Sequence, residues 1–287
     1  MKYNNYINSI KLNTKLYIRA LLLLVALIPF SAFSDKNIFD NNKEIKKMEQ
    51  RATNVIQQIN NKKKFIETAK LKGKVKYDLP MDKKINLRKT FYIQKESKIH
   101  IDIYLLLKLK VAEFISDSSR IKYKRINRSP KIKNIESFNL NIFNKHLDLD
   151  LSVQELNNLL LGLNLIDIVN KPYDYSFKGE QLIIIQGGNR CIVNLKSNQI
   201  TKISLNDGRE AEIDYLDYRK VNLNNLSNKD SYILLKSGKE LMLPRKIVLK
   251  TPNFSMQVKL QNDIIINKTI STKKFIIKDY EKKNKNL

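Results

Sequence analysis

The feature that most constrains this chain is a period of two. Ile99, Ile101, Ile103, Leu105, Leu107, Leu109 and Val111 are apolar at every odd position, while His100, Asp102, Lys108 and Lys110 mark the even ones. Successive side chains of an extended strand point to opposite faces, so the alternation predicts a half-buried strand with one dry side. Tyr104 and Leu106 break the even positions, so the stretch reads as one long strand or as two joined near Leu105 to Leu107. Phe91 with Ile93 predicts an earlier strand of the same kind, and Ile121 with Tyr123 a later one.

Beyond residue 174 short apolar runs alternate with turn residues. Tyr175–Phe177 precedes Lys178-Gly179, Leu182–Ile185 precedes Gly187-Gly188-Asn189, Cys191–Leu195 precedes Ser197-Asn198, and Ile200–Leu205 precedes Asn206-Asp207-Gly208. These turn residues tolerate positive φ, as tight hairpins require. Glu210–Val221, Tyr232–Lys236 (before Ser237-Gly238), Lys246–Lys250 and the alternating Phe254–Gln261 complete the strands. Such a series implies an antiparallel meander with one dry face. Between Asn127 and Asp150 the pattern is poor, and a loop-rich crossing is expected.

Two helices are predicted against this sheet. Ile45, Met48, Ala52, Val55, Ile56 and Ile59 recur at spacings of three and four, giving one apolar stripe from about Lys43. Ser152-Val153-Gln154-Glu155 is a capping box ahead of Leu156, Leu159, Leu160 and Leu163, with Gly162 placed to end the helix. The expected fold is mainly β with a few α-helices, a curved, unclosed antiparallel barrel whose concave side the helices cover. An incomplete cover leaves an apolar cavity, and such cavities bind ligands.

The amino terminus reads as an export signal. Lys2, Lys11, Lys15 and Arg19 precede the apolar run Ala20–Ile28, Pro29, and small residues at Ala32 and Ser34. This places cleavage after Ser34. The run is shorter than the ~20 residues of a spanning helix, although an uncleaved membrane anchor remains the rival reading. Residues 1–34 are thus read as signal peptide or anchor, 35–42 as a flexible linker, 43–280 as one domain and 281–287 as a disordered tail. The expected location is the periplasm. No Cys stands near the cleavage point, so no amino-terminal lipid is expected.

Composition adds one question. The formal net charge is +26, which invites binding to nucleic acid or anionic membrane. The cations are mostly Lys, scattered along the chain, which fits a solvated surface better than a clustered footprint. Export also argues against nucleic acid. The single Cys191 cannot form an internal disulfide and reads as a buried strand residue, and His100 and His146 lie apart without ligand spacing. No G-x-S-x-G, H-E-x-x-H or P-loop is present, and Gly187-Gly188 lacks the Lys-Ser/Thr that a phosphate loop needs. The acid pairs Asp214/Asp217 and Asp148/Asp150 with Asp167 fit no acid–base or calcium-loop spacing. A non-enzymatic monomer without cofactor or metal is expected.

The order of elements carries a family likeness. After an exported amphipathic helix come Leu87-Arg88-Lys89-Thr90-Phe91-Tyr92-Ile93-Gln94-Lys95 and Lys98-Ile99-His100-Ile101-Asp102-Ile103. The helix Leu156-Asn157-Asn158-Leu159-Leu160-Leu161-Gly162 follows, then Leu243-Pro244-Arg245-Lys246-Ile247-Val248-Leu249 and a closing alternating strand. Over about residues 43–275 the chain resembles the lipoprotein carriers and receptors of Gram-negative bacteria (the LolA/LolB-like proteins) and related lipoproteins. The likeness implies an open barrel with a helical lid, holding acyl chains of lipid or acylated protein in its concavity. It departs from the receptors in lacking their acylated Cys and from the carrier in its charge. No single ligand-binding residue carries over, because the family lines its cavity with generic apolar side chains.

The reading of function is therefore a periplasmic binder of lipid or lipoprotein acyl chains, in envelope lipid and lipoprotein trafficking. Its expected cavity set is Ile45, Met48, Val55, Ile56, Ile99, Ile101, Ile103, Met256, Val258 and Leu260. The alternative is an envelope interaction protein with a filled core and a basic surface on anionic lipid.

Overall fold

The computed structural model describes residues 36–79, 83–95, 98–105, 109–117, 120–125, 131–134, 149, 151–166, 168, 171–227, 229–230 and 240–277. The export segment, His146, the strand expected at Tyr232–Lys236 and the carboxyl-terminal tail lie outside them. By its internal packing the chain divides into two units, Met1–Thr53 and Asn54–Leu287. Helix α1 runs from Lys36 to Phe65. It therefore starts inside the stretch read as a linker, which contains neither Pro nor Gly to stop a helix. No helix among the described residues is long and apolar enough to cross a membrane.

The second unit holds an antiparallel sheet of fourteen strands among the described residues. They are β1 (Thr68–Leu79), β2 (Lys83–Gln94), β3 (Lys98–Tyr104), β4 (Lys110–Asp117), β5 (Arg120–Arg125), β6 (Lys131–Asn134), β7 (Asp174–Lys178), β8 (Gln181–Gln186), β9 (Asn189–Asn194), β10 (Gln199–Leu205), β11 (Ala211–Lys220), β12 (Met242–Lys250), β13 (Ser255–Leu260) and the short β14 (Ile265–Ile266). The spatial order is β6-β5-β4-β3-β2-β1-β13-β12-β11-β10-β9-β8-β7, with β14 on β1. Two meanders thus meet where the first strand pairs with the last long one, in the register Val75 with Val258 and Tyr77 with Met256. Among the described residues β6 and β7 have no partner on their far sides, so the sheet is unclosed.

The long alternation resolves into β3 and β4, the two-strand alternative. The Lys-rich β1 and the short β6 were not foreseen from the sequence. In β1 the lysines at 70, 72, 74 and 76 take one face and leave Ala69, Leu71, Val75 and Tyr77 for the other. One correction concerns the even face of β3, expected to be wet. His100 is 4% and Asp102 3% exposed. The segment Thr272–Ile277 lies across them, with Phe275 and Ile277 buried and the Lys274 carbonyl 2.6 Å from His100 Nδ1.

Helix α2 (Val153–Leu160) is closed at both ends as its sequence predicts. The Ser152 hydroxyl accepts from Glu155 N at 3.1 Å and the Glu155 carboxylate accepts from Ser152 N at 2.8 Å. At the other end Leu163 N donates to Asn158 O and Gly162 N to Leu159 O, a Schellman closure. Gly162 has φ +61°, and a Cβ there would lie 2.6 Å from two ring carbons of Pro244. Strain in the left-handed region and that contact act together. Gly162→Ala is expected to lower stability by at least about 2 kcal/mol in urea unfolding.

Candidate functional site

The concave faces of the central strands do not pack solidly together. They enclose a hollow of about 310 Å³, lined by Val75 and Tyr77 of β1, Ile85, Leu87, Lys89 and Phe91 of β2, Ile101 and Ile103 of β3, and Phe114 of β4. Tyr123 and Arg125 of β5, Leu156 and Leu160 of α2, Leu249 of β12, Phe254, and Met256 and Val258 of β13 complete the wall. Strands as distant in order as β5 and β12 face one space, so the sheet curls. Among the described residues the lining is aliphatic and aromatic except for two cations, and it contains no carboxylate.

Strand register sets the depth. One transverse row joins Phe91, Ile101, Phe114 and Tyr123, and the next joins Lys89, Ile103, Ala112 and Arg125. Val75 with Leu87 and Tyr77 with Ile85 continue toward the strand ends. Phe91 and Phe114 are buried, whereas Ile85 is 41% exposed, so the hollow runs from a sealed floor to an open rim. The floor is held by α2. Asn157 Nδ2 donates to Lys98 O at 3.3 Å, and Arg209 Nη1 donates to Glu155 Oε1 at 2.6 Å, fixing the helix to both meanders.

Helix α1 covers another part of the sheet. The last turns of α1 carry the buried Val55, Ile56 and Ile59. Gln58 Oε1 accepts from Asn198 at 3.0 Å and Lys62 lies 5.4 Å from the Tyr218 ring centre, which places these turns by β9 to β11. Of the expected cavity set, Ile101, Ile103, Met256 and Val258 line the hollow. Ile99, Leu260, Val55 and Ile56 are buried outside its wall, and Ile45 and Met48 are 52% and 44% exposed. Period-two reasoning missed Lys89 and Arg125. Both share the parity of apolar neighbours, and that was the available signal.

Two cation–tyrosine pairs line the hollow, Lys89 with Tyr77 toward the open end and Arg125 with Tyr123 beside the floor row. Lys89 Nζ donates to the Tyr77 hydroxyl and lies 4.9 Å from that ring centre. Arg125 Nε donates to the Tyr123 hydroxyl at 2.7 Å, with its guanidinium 5.5 Å from the ring centre. Lys89 thereby leans from its own row toward the open end, keeping its stem on the apolar wall.

On the opposite face a buried polar cluster offers metal-type donors, since atoms of His100, Asp102 and Glu113 lie within 4.8 Å of one another. Ammonium groups already fill the cation's place. Lys110 Nζ sits 2.6 Å from Asp102 Oδ1 and 2.8 Å from Glu113 Oε2, and Lys122 Nζ 3.0 Å from Glu113 Oε1. Burial would raise the Asp102 carboxyl, but hydrogen bonds from His100 and Lys110 outweigh it and hold the group well below the ordinary range. In the same way Lys110 and Lys122 bring Glu113 to about 2 against the cost of burial. Groups with depressed folded values contribute stability above the unfolded value near 4, lost as pH falls toward the folded value. The thermal midpoint is expected to drop between about pH 4.5 and 2. The deficit of Asp102→Asn, largest near neutrality, should shrink over the same window. A deficit independent of pH would count against the ion network. Cys191 is fully buried, and burial pushes its thiol up to about 12, so it is no nucleophile.

Comparison with solved structures concerns this architecture. A DUF1329 family protein from Desulfovibrio piger superposes with a TM-score of 0.50 at 10% identity, covering 78% of this chain and 95% of that one. The chain shares its fold. A LolA superfamily protein from Nitrosomonas europaea also matches, with a TM-score of 0.49 and 10% identity, over 77% of this chain and 97% of the other. No protein-family model matches the sequence, and no curated protein does. The open antiparallel sheet implied by the resemblance to lipoprotein carriers is the architecture adopted.

Proposed function

We propose that this protein binds an acyl chain of a lipid or lipidated protein in the hollow between β1–β5, β12, β13 and α2. The observation that carries this reading is an apolar space of about 310 Å³, sealed by α2 at one end and open at the other. Such a space loses dispersion contacts along its whole wall, and an aliphatic guest restores them while leaving water. Its size is at the lower end of the ~300–1,000 Å³ range of ligand pockets, which suits one chain rather than several. In this reading residues 1–34 export the protein to the periplasm, where it takes part in envelope lipid or lipoprotein trafficking without catalysing a reaction.

The test is direct. Native mass spectrometry of the purified mature protein should show co-purified lipid or acyl peptide. A fluorescent fatty acid should be taken up by stripped protein with little dependence on salt, because exclusion from water drives the binding. Clean protein that also refuses the fatty acid would remove the proposal. Binding to vesicles that follows headgroup charge and fades with salt, without chain uptake, would favour an interaction surface instead.

A further inference from the structure

Among the described residues the wall of the hollow is apolar except where Lys89 and Arg125 stand, and we infer that its guest is a single-chain amphiphile with an anionic head, carboxylate or phosphate, held by these two residues. This rests on the acyl-chain reading above and names the class of ligand.

Lys89 is half-buried on an apolar wall, where an ammonium loses hydration and packing gives no reason to place one, and Arg125 stands on the same row at an exposed position. The sequence nevertheless puts a cation at each end of one row, Lys89 and Arg125, with Ile103 and Ala112 between them. That row spans three strand spacings, about 14 Å along the sheet, and the curl turns its two ends toward the same space. Neither cation has a carboxylate partner among the described residues. Each is bonded to a tyrosine hydroxyl, which holds the side chain in place without cancelling its charge. Beyond the row lies the floor of Phe91, Ile101 and Phe114 under Leu156 and Leu160, which accepts a tail. Two cations, an apolar floor and no acid among the described wall residues match the polarity of a fatty acid or a lysophospholipid. A neutral chain would leave both cations unused, and a cationic head would be repelled.

Isothermal titration with four twelve-carbon probes separates these cases: dodecanoate, dodecyl phosphate, dodecanol and dodecyltrimethylammonium. The two anions should bind at least about tenfold tighter than dodecanol, and the ammonium probe weakest. Lys89→Met and Arg125→Met, which keep stem length, should each lose about tenfold for the anions and almost nothing for dodecanol. Thermal unfolding of each variant checks that the fold is intact. The ratio of dodecanoate to dodecyl phosphate affinity distinguishes a fatty acid from a phosphate-headed lipid, with preference for phosphate pointing to bidentate recognition by Arg125. Equal affinity for dodecanol and the anions, or equal losses for all probes in the Met variants, overturns the headgroup assignment and leaves the acyl cavity standing. Failure of all four probes to bind overturns both.

Discussion

Leu87→Trp and Ile103→Trp should each abolish most acyl uptake while leaving the fold intact. Both side chains are half-buried and face the hollow from adjacent strands, so an indole can extend into free space rather than into packed neighbours. Displacing three or four methylenes of a guest, at ~0.8 kcal/mol each, removes about 3 kcal/mol of burial, or roughly a hundredfold in affinity. Fluorescent fatty-acid titration measures the loss. Unfolding in urea should change by less than about 1.5 kcal/mol, since added volume is costly only where packing is already dense. Uptake equal to that of the unmodified protein in both variants would place the chain elsewhere.

The second large effect belongs to the floor. Phe114 is buried, lies in the row with Phe91, Ile101 and Tyr123, and faces Leu156 and Leu160 across the inner end of the hollow. Phe114→Ala removes an aromatic ring from a wall that already borders empty space, so its neighbours cannot collapse to fill the gap. A loss of about 3–5 kcal/mol is expected in urea unfolding. Ile85→Ala at the exposed rim should cost less than about 1 kcal/mol by comparison. The floor variant, where it folds, should still accept a chain, because its hollow is larger. Similar losses at floor and rim would contradict the depth assigned from strand register.

Much of this fold is legible in the chain, for reasons that are local. A strand with one apolar face alternates its chemistry whatever its partners are, which is why β3 and β13 stand out. The capping box at Ser152 and the left-handed turns at Gly187 and Gly188 depend on a few consecutive residues, and they form as read. Strand β1 was overlooked because four lysines hide a regular apolar face, although its period is as strict as that of β13. The site was half legible. Parity assigns Ile101, Ile103, Met256 and Val258 to the concave side, but it cannot tell a residue that lines the hollow from one buried outside it, as Ile99 and Leu260 show.

What the sequence determined by itself is the face on which each residue lies, because backbone geometry fixes alternation and capping within a few residues. Tertiary structure alone decided three things: that β1 meets β13, that the turns at Thr272–Ile277 cover His100 and Asp102, and that a hollow remains between the central strands and α2. Each depends on elements far apart in the chain meeting at a particular depth, and residual space between them is a property of that meeting rather than of any segment.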